Sequence, residues 1–245
     1  MTDITEHLSS VRERVRKAAE RAGRNADEVT IVAVSKQQPA DAVQAAYRAG
    51  QRHFGESYVQ EAVPKMDSLR ELDTVWHFIG RIQANKTRPI AERFHWVHTI
   101  DRERVARRLA EQRPFYAPPL NVLIQVNLGD PRKAGVAPEE AAELAAAIAH
   151  LPRLALRGLM TIPPAGLDER AASTYFARLA KLRDDLENAG FSLPDLSMGM
   201  SDDFEAAIAA GATLVRLGTS IFGRRAARPE PSPDGLGDGR LTAAE

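Results

Sequence analysis

The stretch EVTIVAVSKQQP, from Glu28 to Pro39, decides the fold. Its run of β-branched and small apolar residues stops abruptly at Ser35 and Lys36. A run that is apolar on both faces suits a strand buried inside a parallel sheet. The Gln37-Gln38-Pro39-Ala40-Asp41 that follows breaks the strand and starts a helix, so Lys36 stands at the carboxyl end of a buried strand. That is where α/β folds place their chemistry. A lysine there can lose its proton in a dry pocket and condense with a carbonyl as a Schiff base. Lysines also end strands simply because the next residue meets solvent, and this stretch alone leaves both readings open.

Working outward, the same strand-then-helix pattern recurs. On the N-terminal side, Ile4, Leu8, Val11, Val15 and Ala18 or Ala19 share one face of a helix over residues 3–22, with Asp3 and Glu6 as a capping box and Gly23 as its stop. On the C-terminal side the pattern predicts strands ending at Glu56 and over 74–79, 94–99, 120–126, 156–160, 194–198 and 213–217. Helices are predicted over 40–49, 57–69, 84–93 (strained by Pro89), 101–112 (capped by Asp101), 138–150, 167–189 and 201–210. Eight strands alternating with helices over about 220 residues match a single (β/α)8 TIM barrel with an extra N-terminal helix, although a doubly wound sheet also alternates. Residues 1–224 form one domain in this reading. From Arg225 onward the chain is rich in proline and glycine and nearly devoid of apolar residues, so 225–245 is expected to be a disordered tail.

Composition removes several function classes. The 245 residues carry 33 Lys plus Arg against 33 Asp plus Glu, which gives no global attraction to nucleic acid or to a membrane surface. The absence of cysteine excludes disulfides, thiolate metal sites and cysteine nucleophiles, and fits a reducing cytoplasm. No stretch approaches the roughly 18 apolar residues of a membrane span, and the N-terminus lacks a signal pattern. Neither HExxH, GxGxxG after a strand, nor GxxxxGK[ST] is present, so a metalloprotease, a dinucleotide enzyme and a nucleoside triphosphatase are not expected.

If the barrel is correct, its seventh and eighth strands end at SMGMSDD, Ser197 to Asp203, and VRLGTSIFG, Val215 to Gly223. Those are the phosphate positions of a barrel. Gly199 and Ser201 in one, and Gly218, Thr219 and Ser220 in the other, precede helices whose free N–H groups face the mouth. The same residues also serve as ordinary turn and cap residues. Arg216 alternates inward between Val215 and Leu217, which is costly unless it meets an acceptor. It either reaches a carboxylate at the barrel end or, beside a Schiff-base lysine and a phosphate loop, donates to the pyridine nitrogen of pyridoxal phosphate. His77 is either a ligand-facing group or a hydrogen-bonded structural residue, and Asp202 and Asp203 read as helix-start residues.

In combination, VAVSK (32–36), FGESYVQE (54–61), WHFIGRIQANK (76–86), VHTID (97–101), RGLMTIP (157–163), SMGMSDDFEAAI (197–208) and VRLGTSIFG (215–223) resemble the pyridoxal phosphate homeostasis protein family. Its members are single-domain barrels similar to the N-terminal domain of alanine racemase. The resemblance implies that Lys36 holds pyridoxal 5'-phosphate (PLP) as a Schiff base. It also implies that Ser201, Gly218 and Thr219 hold its phosphate and that Arg216 faces the ring nitrogen. Lys133 falls where the family can carry an accessory lysine for cofactor transfer. Ser57 stands where the family usually has asparagine, with a shorter reach to the cofactor site. Alanine racemase adds a C-terminal domain with a second acid/base, which is not expected here, and an arginine at the ring nitrogen weakens the electron sink. The implied function is a cytoplasmic, monomeric carrier or buffer of PLP, with apo PLP-dependent enzymes as acceptors. A slow PLP-dependent amino-acid racemase of the alanine racemase fold is the alternative. A Schiff-base aldolase acting on a sugar phosphate is a third reading, for which the sequence supplies no obvious acid beside the lysine.

Overall fold

The computed structural model describes residues 4–130 and 133–223. The decisive stretch forms β1 (Thr30–Val34), preceded by α1 (Ile4–Arg21) and followed by α2 (Ala40–Arg48). Then come β2 (His53–Glu56), α3 (Val59–Ser68), β3 (Val75–Phe78), α4 (Thr87–Arg93), β4 (Trp96–Ile100) and α5 (Glu103–Gln112). The second half contributes β5 (Leu120–Gln125), α6 (Ala141–Ala149), β6 (Leu154–Met160), α7 (Glu169–Asn188), β7 (Asp195–Ser197), α8 (Phe204–Ala209), β8 (Leu214–Leu217) and α9 (Thr219–Phe222). All pairings are parallel, and β8 returns to β1 to close an eight-stranded barrel in sequence order. The expected TIM barrel with an N-terminal helix is the observed fold.

Strand alternation divides the side chains between two compartments. Val32, Leu123, Met160 and Leu214 pack together inside the barrel. Their neighbours Ala33, Phe54, Phe78, Val97, Leu159, Val215 and Leu217 point outward into a larger apolar layer shared with the helices. Burying each large side chain of this layer contributes about 1.5–3 kcal/mol. The face of α1 read from the sequence is buried at Leu8, Val11, Val15, Ala18 and Ala19. Arg14 pairs with Glu205 of α8 at 2.6 Å and His7 bonds the Ile221 carbonyl of α9, so α1 braces the place where the barrel closes.

Closure is uneven. β7 has three residues and registers with β8 through the single pair Ser197↔Leu214, whereas β1 and β8 share four pairs. Beyond that pair, Met198 N donates to Leu214 O at 3.1 Å and Arg216 N to Gly199 O at 3.0 Å.

Several local expectations are corrected. Asp101 does not cap α5: Arg102 occupies the capping position without a side-chain cap, and Asp101 lies 3.5 Å from the Arg102 guanidinium. Pro89 does not strain a helix over 84–93, because a 3-10 turn at Ala84–Lys86 ends and α4 starts afresh at Thr87. Pro89 therefore falls in the first turn, where its missing N–H has no intrahelical partner to lose. The interrupted helix is instead α3, with Pro64 inside it. Residues 201–203 form a turn, and α8 begins at Phe204, because Asp203 turns its carboxylate back to the Met200 N–H at 2.6 Å. The Asp3 cap and the tail over 225–245 lie outside the described residues.

Candidate functional site at the barrel mouth

Lys36 leaves the end of β1 in a tight turn, half-buried, with Gln37 after it in the left-handed region at φ 62. That conformation is disfavoured for a residue with a Cβ and persists only where its surroundings impose it. Here both neighbours of Lys36 are tied down. The Ser35 hydroxyl donates to Glu56 Oε1 at 2.7 Å, the Ser35 carbonyl accepts from Lys65 Nζ at 2.8 Å, and Gln37 N donates to the Glu61 carboxylate. Lys65 Nζ completes the clamp by bonding Glu56 Oε1 at 2.7 Å and Glu61 Oε1 at 2.9 Å. Glu56 is fully buried between β2 and α3, and its Oε2 has no hydrogen-bond partner among the described residues. Burial raises its pKa, opposed by the Lys65 charge and by the bonds from Lys65 and Ser35. None of these three charged residues was singled out in the sequence, although Glu61 and Lys65 stand four apart on one helical face, a readable signal.

Arg216 points into the barrel, as its alternation predicts, and is 5 % exposed. Its Nη1 donates to Ser197 Oγ at 2.7 Å and its Nη2 to the Thr161 carbonyl at 2.9 Å. Burial pulls its pKa down to about 10, with the Asp203 carboxylate acting the other way, so the guanidinium is charged at neutral pH. Its acceptors among the described residues are thus a hydroxyl and a backbone carbonyl, with no carboxylate among them.

His77 is hydrogen-bonded at both ring nitrogens. Its Nε2 lies 2.9 Å from His53 Nδ1 and its Nδ1 lies 2.9 Å from His98 Nε2, while His98 Nδ1 lies 2.8 Å from Ser197 Oγ. Burial holds His77 and His98 well below the ordinary histidine pKa, helped by neighbouring histidines for the first and by Arg216 for the second.

The two glycine-containing loops meet beside this arginine. Because Val32 pairs with Arg216 and Ala33 with Leu217, Lys36 and Gly218-Thr219 emerge from adjacent strands at the same end. A Cβ on Gly218 would lie 3.4 Å from the Val34 carbonyl. Ser201 Oγ lies 3.2 Å from Ser220 Oγ, tethering the loop after β7 to the first turn of α9. Gly199 holds the first loop in place: at φ +92, an added Cβ would fall 2.6 Å from the Ala207 Cβ. Ser57 follows β2 at the rim beside Lys36 and lines a cavity of about 330 Å³ with Phe78, Arg81 and Lys86. Lys133 sits in the loop after β5, where its carbonyl accepts from Asn127 Nδ2 at 2.9 Å.

The donor set at the mouth is therefore one lysine amine, one buried cation, and a pair of loops offering hydroxyls and backbone N–H groups. It is complementary to a molecule that joins a carbonyl, an accepting ring nitrogen and an anion, and the residues present fit PLP in that sense. No helix among the described residues is long and apolar enough to cross a membrane.

Comparison with known proteins gives a consistent result. The family model "Alanine racemase, N-terminal domain" matches residues 7–226. A pyridoxal phosphate homeostasis protein of Pseudomonas aeruginosa is 54% identical over 226 residues, covering 92% of this chain and 97% of its own. The protein of that name from Escherichia coli is 51% identical over 229 residues, with 92% and 98% covered. Among solved structures, PipY of Synechococcus elongatus with PLP bound superposes with a TM-score of 0.81 at 37% identity, over 90% of this chain and all of PipY. On these matches, the chain belongs to the alanine racemase N-terminal domain family and, within it, to the pyridoxal phosphate homeostasis proteins.

Proposed function

We propose that this protein binds PLP on Lys36 and carries or buffers it, delivering it to apo PLP-dependent enzymes, with no committed turnover of its own. The observation that carries this reading is the grouping of a lysine in a clamped turn, a buried arginine and two tethered glycine- and hydroxyl-bearing loops at one end of the barrel. The names of the homeostasis relatives and the PLP-bound structure of PipY support it. In this reading Ser201, Gly218 and Thr219 hold the phosphate, Arg216 faces the ring nitrogen, and Ser57 contributes at the rim. Bound PLP supplies an aldehyde for the lysine and a ring that can draw electrons. Arg216, still charged when buried, donates to the ring nitrogen without protonating it, which keeps that electron demand weak. The working form is a cytoplasmic monomer made of residues 1–224, with 225–245 appended.

The phosphate assignment predicts that replacing both Ser201 and Thr219 by alanine weakens PLP retention by at least about tenfold, since each bond to a charged group is worth about 1.5–3 kcal/mol. Equilibrium dialysis against PLP and pyridoxal checks it, and equal affinity of the parent protein for the two compounds would place the phosphate elsewhere.

The carrier reading is tested by incubating the loaded protein with L- and D-alanine in deuterated water while measuring PLP transfer to an apo-enzyme. Negligible α-proton exchange with measurable transfer is expected. Exchange at about 1 per second or faster would be enzymatic and would favour the racemase.

A further inference from the structure

The three interior histidines form an unbroken line. His53 opens β2 and lines a cleft at the N-terminal end of the barrel, opposite the mouth, with Arg12, Arg16, Asp27 and Arg52. From His53 the chain of ring-nitrogen contacts runs through His77 and His98 to Ser197 and Arg216, every link between 2.7 and 2.9 Å. His77 and His98 are fully buried, and Trp96 stacks on His77 at 5.5 Å between ring centres, so the rings are held in register. Such a chain is more than packing requires, because three apolar residues would fill the barrel without any hydrogen-bonding demand. We propose that it is a proton relay through the barrel interior, coupling the protonation of His53 in the N-terminal cleft to the hydrogen bonding of Arg216 at the mouth.

Counting hydrogens gives the relay two polarities. Arg216 always donates to Ser197 Oγ, since a guanidinium has no acceptor. In the first polarity the Ser197 hydroxyl donates to His98 Nδ1, His98 Nε2–H donates to His77 Nδ1, and His77 Nε2–H donates to His53 Nδ1, leaving His53 Nε2–H in the cleft. In the second, each imidazole carries its proton on Nδ1 and points it toward the next acceptor, His53 to His77, His77 to His98 and His98 to Ser197. Conversion from the first to the second takes one proton onto Ser197 from the mouth and releases one from His53 Nε2 to the cleft, so the balance is a single proton carried through. A doubly protonated His53 fits only the second polarity, because its Nδ1–H would otherwise face the His77 N–H. In that polarity Ser197 accepts from both His98 and Arg216 and keeps a hydroxyl hydrogen, now pointed toward the mouth and away from His98, which weakens its hold on Arg216. The charged residues that line the cleft with His53 are Arg12 and Arg16 of α1, Asp27 and Arg52. His77 and His95, from β3 and the turn before β4, are its titratable neighbours. Burial sets the His53 pKa below the ordinary value, so the change of polarity falls on the acid side of it.

The relay belongs to this chain's own residues; only its effect on a ring nitrogen rests on the PLP reading. The test uses ¹⁵N-labelled, ligand-free, full-length protein, following histidine tautomers by long-range ¹H–¹⁵N correlation from about pH 8 to about pH 5. His98 is expected to move from the Nε2–H to the Nδ1–H form in step with the titration of His53. His53→Gln, at a half-exposed position, and His77→Phe should each make His98 unresponsive. A wild-type His98 that keeps one tautomer while His53 titrates overturns the relay, as does a response that survives in His53→Gln. PLP binding is not involved in this readout, so failure of the cofactor reading would show separately, as absent labelling of Lys36.

Discussion

Replacing Lys36 by alanine should abolish covalent retention of PLP and lower equilibrium affinity by at least about a hundredfold, or about 2.7 kcal/mol, while leaving the barrel folded. On the proposed attachment, Lys36 Nζ would add to the aldehyde carbon with loss of water, and borohydride would then deliver hydride to that carbon to give a secondary amine that survives proteolysis. Peptide mass mapping of the reduced wild type should find the pyridoxyl group on the peptide containing Lys36. The fold should tolerate the change because Ser35 and the Gln37 backbone keep their own bonds to Glu56, Lys65 and Glu61. An adduct mainly on Lys86 or Lys133 would sink the assignment, and a Lys36→Ala protein that still yields a reduced adduct elsewhere at wild-type yield would do so as well.

The second large effect concerns stability. Lys65→Met keeps the length of the side chain but removes the partner of a fully buried carboxylate, and breaking such a pair costs about 3–5 kcal/mol. Against a total stability of about 5–15 kcal/mol for a domain, the variant should sit close to its unfolding threshold at neutral pH. Urea midpoints measure this directly, and a midpoint unchanged from wild type would mean that Glu56 is not ionised in the folded protein. The pH dependence has a definite sign. The folded pKa of Glu56 is raised, mainly by burial, so the folded state binds more protons than the unfolded one between the two values. Its contribution to stability is therefore greatest below the unfolded pKa and falls as pH rises through the folded one. Without Lys65 that folded pKa rises further, and the deficit of Lys65→Met should shrink as the pH is lowered toward 5. The double variant Glu56→Gln/Lys65→Met should recover much of the loss, because no buried charge is left.

The barrel was legible in the sequence because a strand buried on both faces must be apolar throughout, and the 28–39 stretch meets that demand and then breaks sharply. Arg216 was legible for the same reason: a charge inside such a strand stands out. The histidines were visible only singly. His53, His77 and His98 each occupy an inward position, but it is the register of His53 with Val75 and of His77 with Trp96 that brings them side by side, and register between strands is not written in either strand alone. Glu56 and Lys65 were hidden for a related reason, since their contact joins a strand end to the helix after it. The turn at 201–203 was misread as helix because serine and aspartate suit turns and helix starts equally, and only the Asp203 bond back to Met200 separates the two.

The short join between β7 and β8 has a further consequence. A closed barrel has no strand edges, but parting this join would create two at once, on β7 and on β8, each with unpaired backbone groups. The loops proposed to share the phosphate leave these same two strands, and Ser201 and Ser220 already touch across the gap. An anion held by both loops is thus a strap over the weakest part of the hoop. Ligand binding and closure of the barrel would then be linked equilibria, and at ligand concentrations about a hundred times the dissociation constant the strap would add about 2.7 kcal/mol to the closed form. With the phosphate placed as proposed, the protein would be most exposed to strand-edge association when it holds nothing, and the size of its durable pool would follow the supply of the molecule it holds.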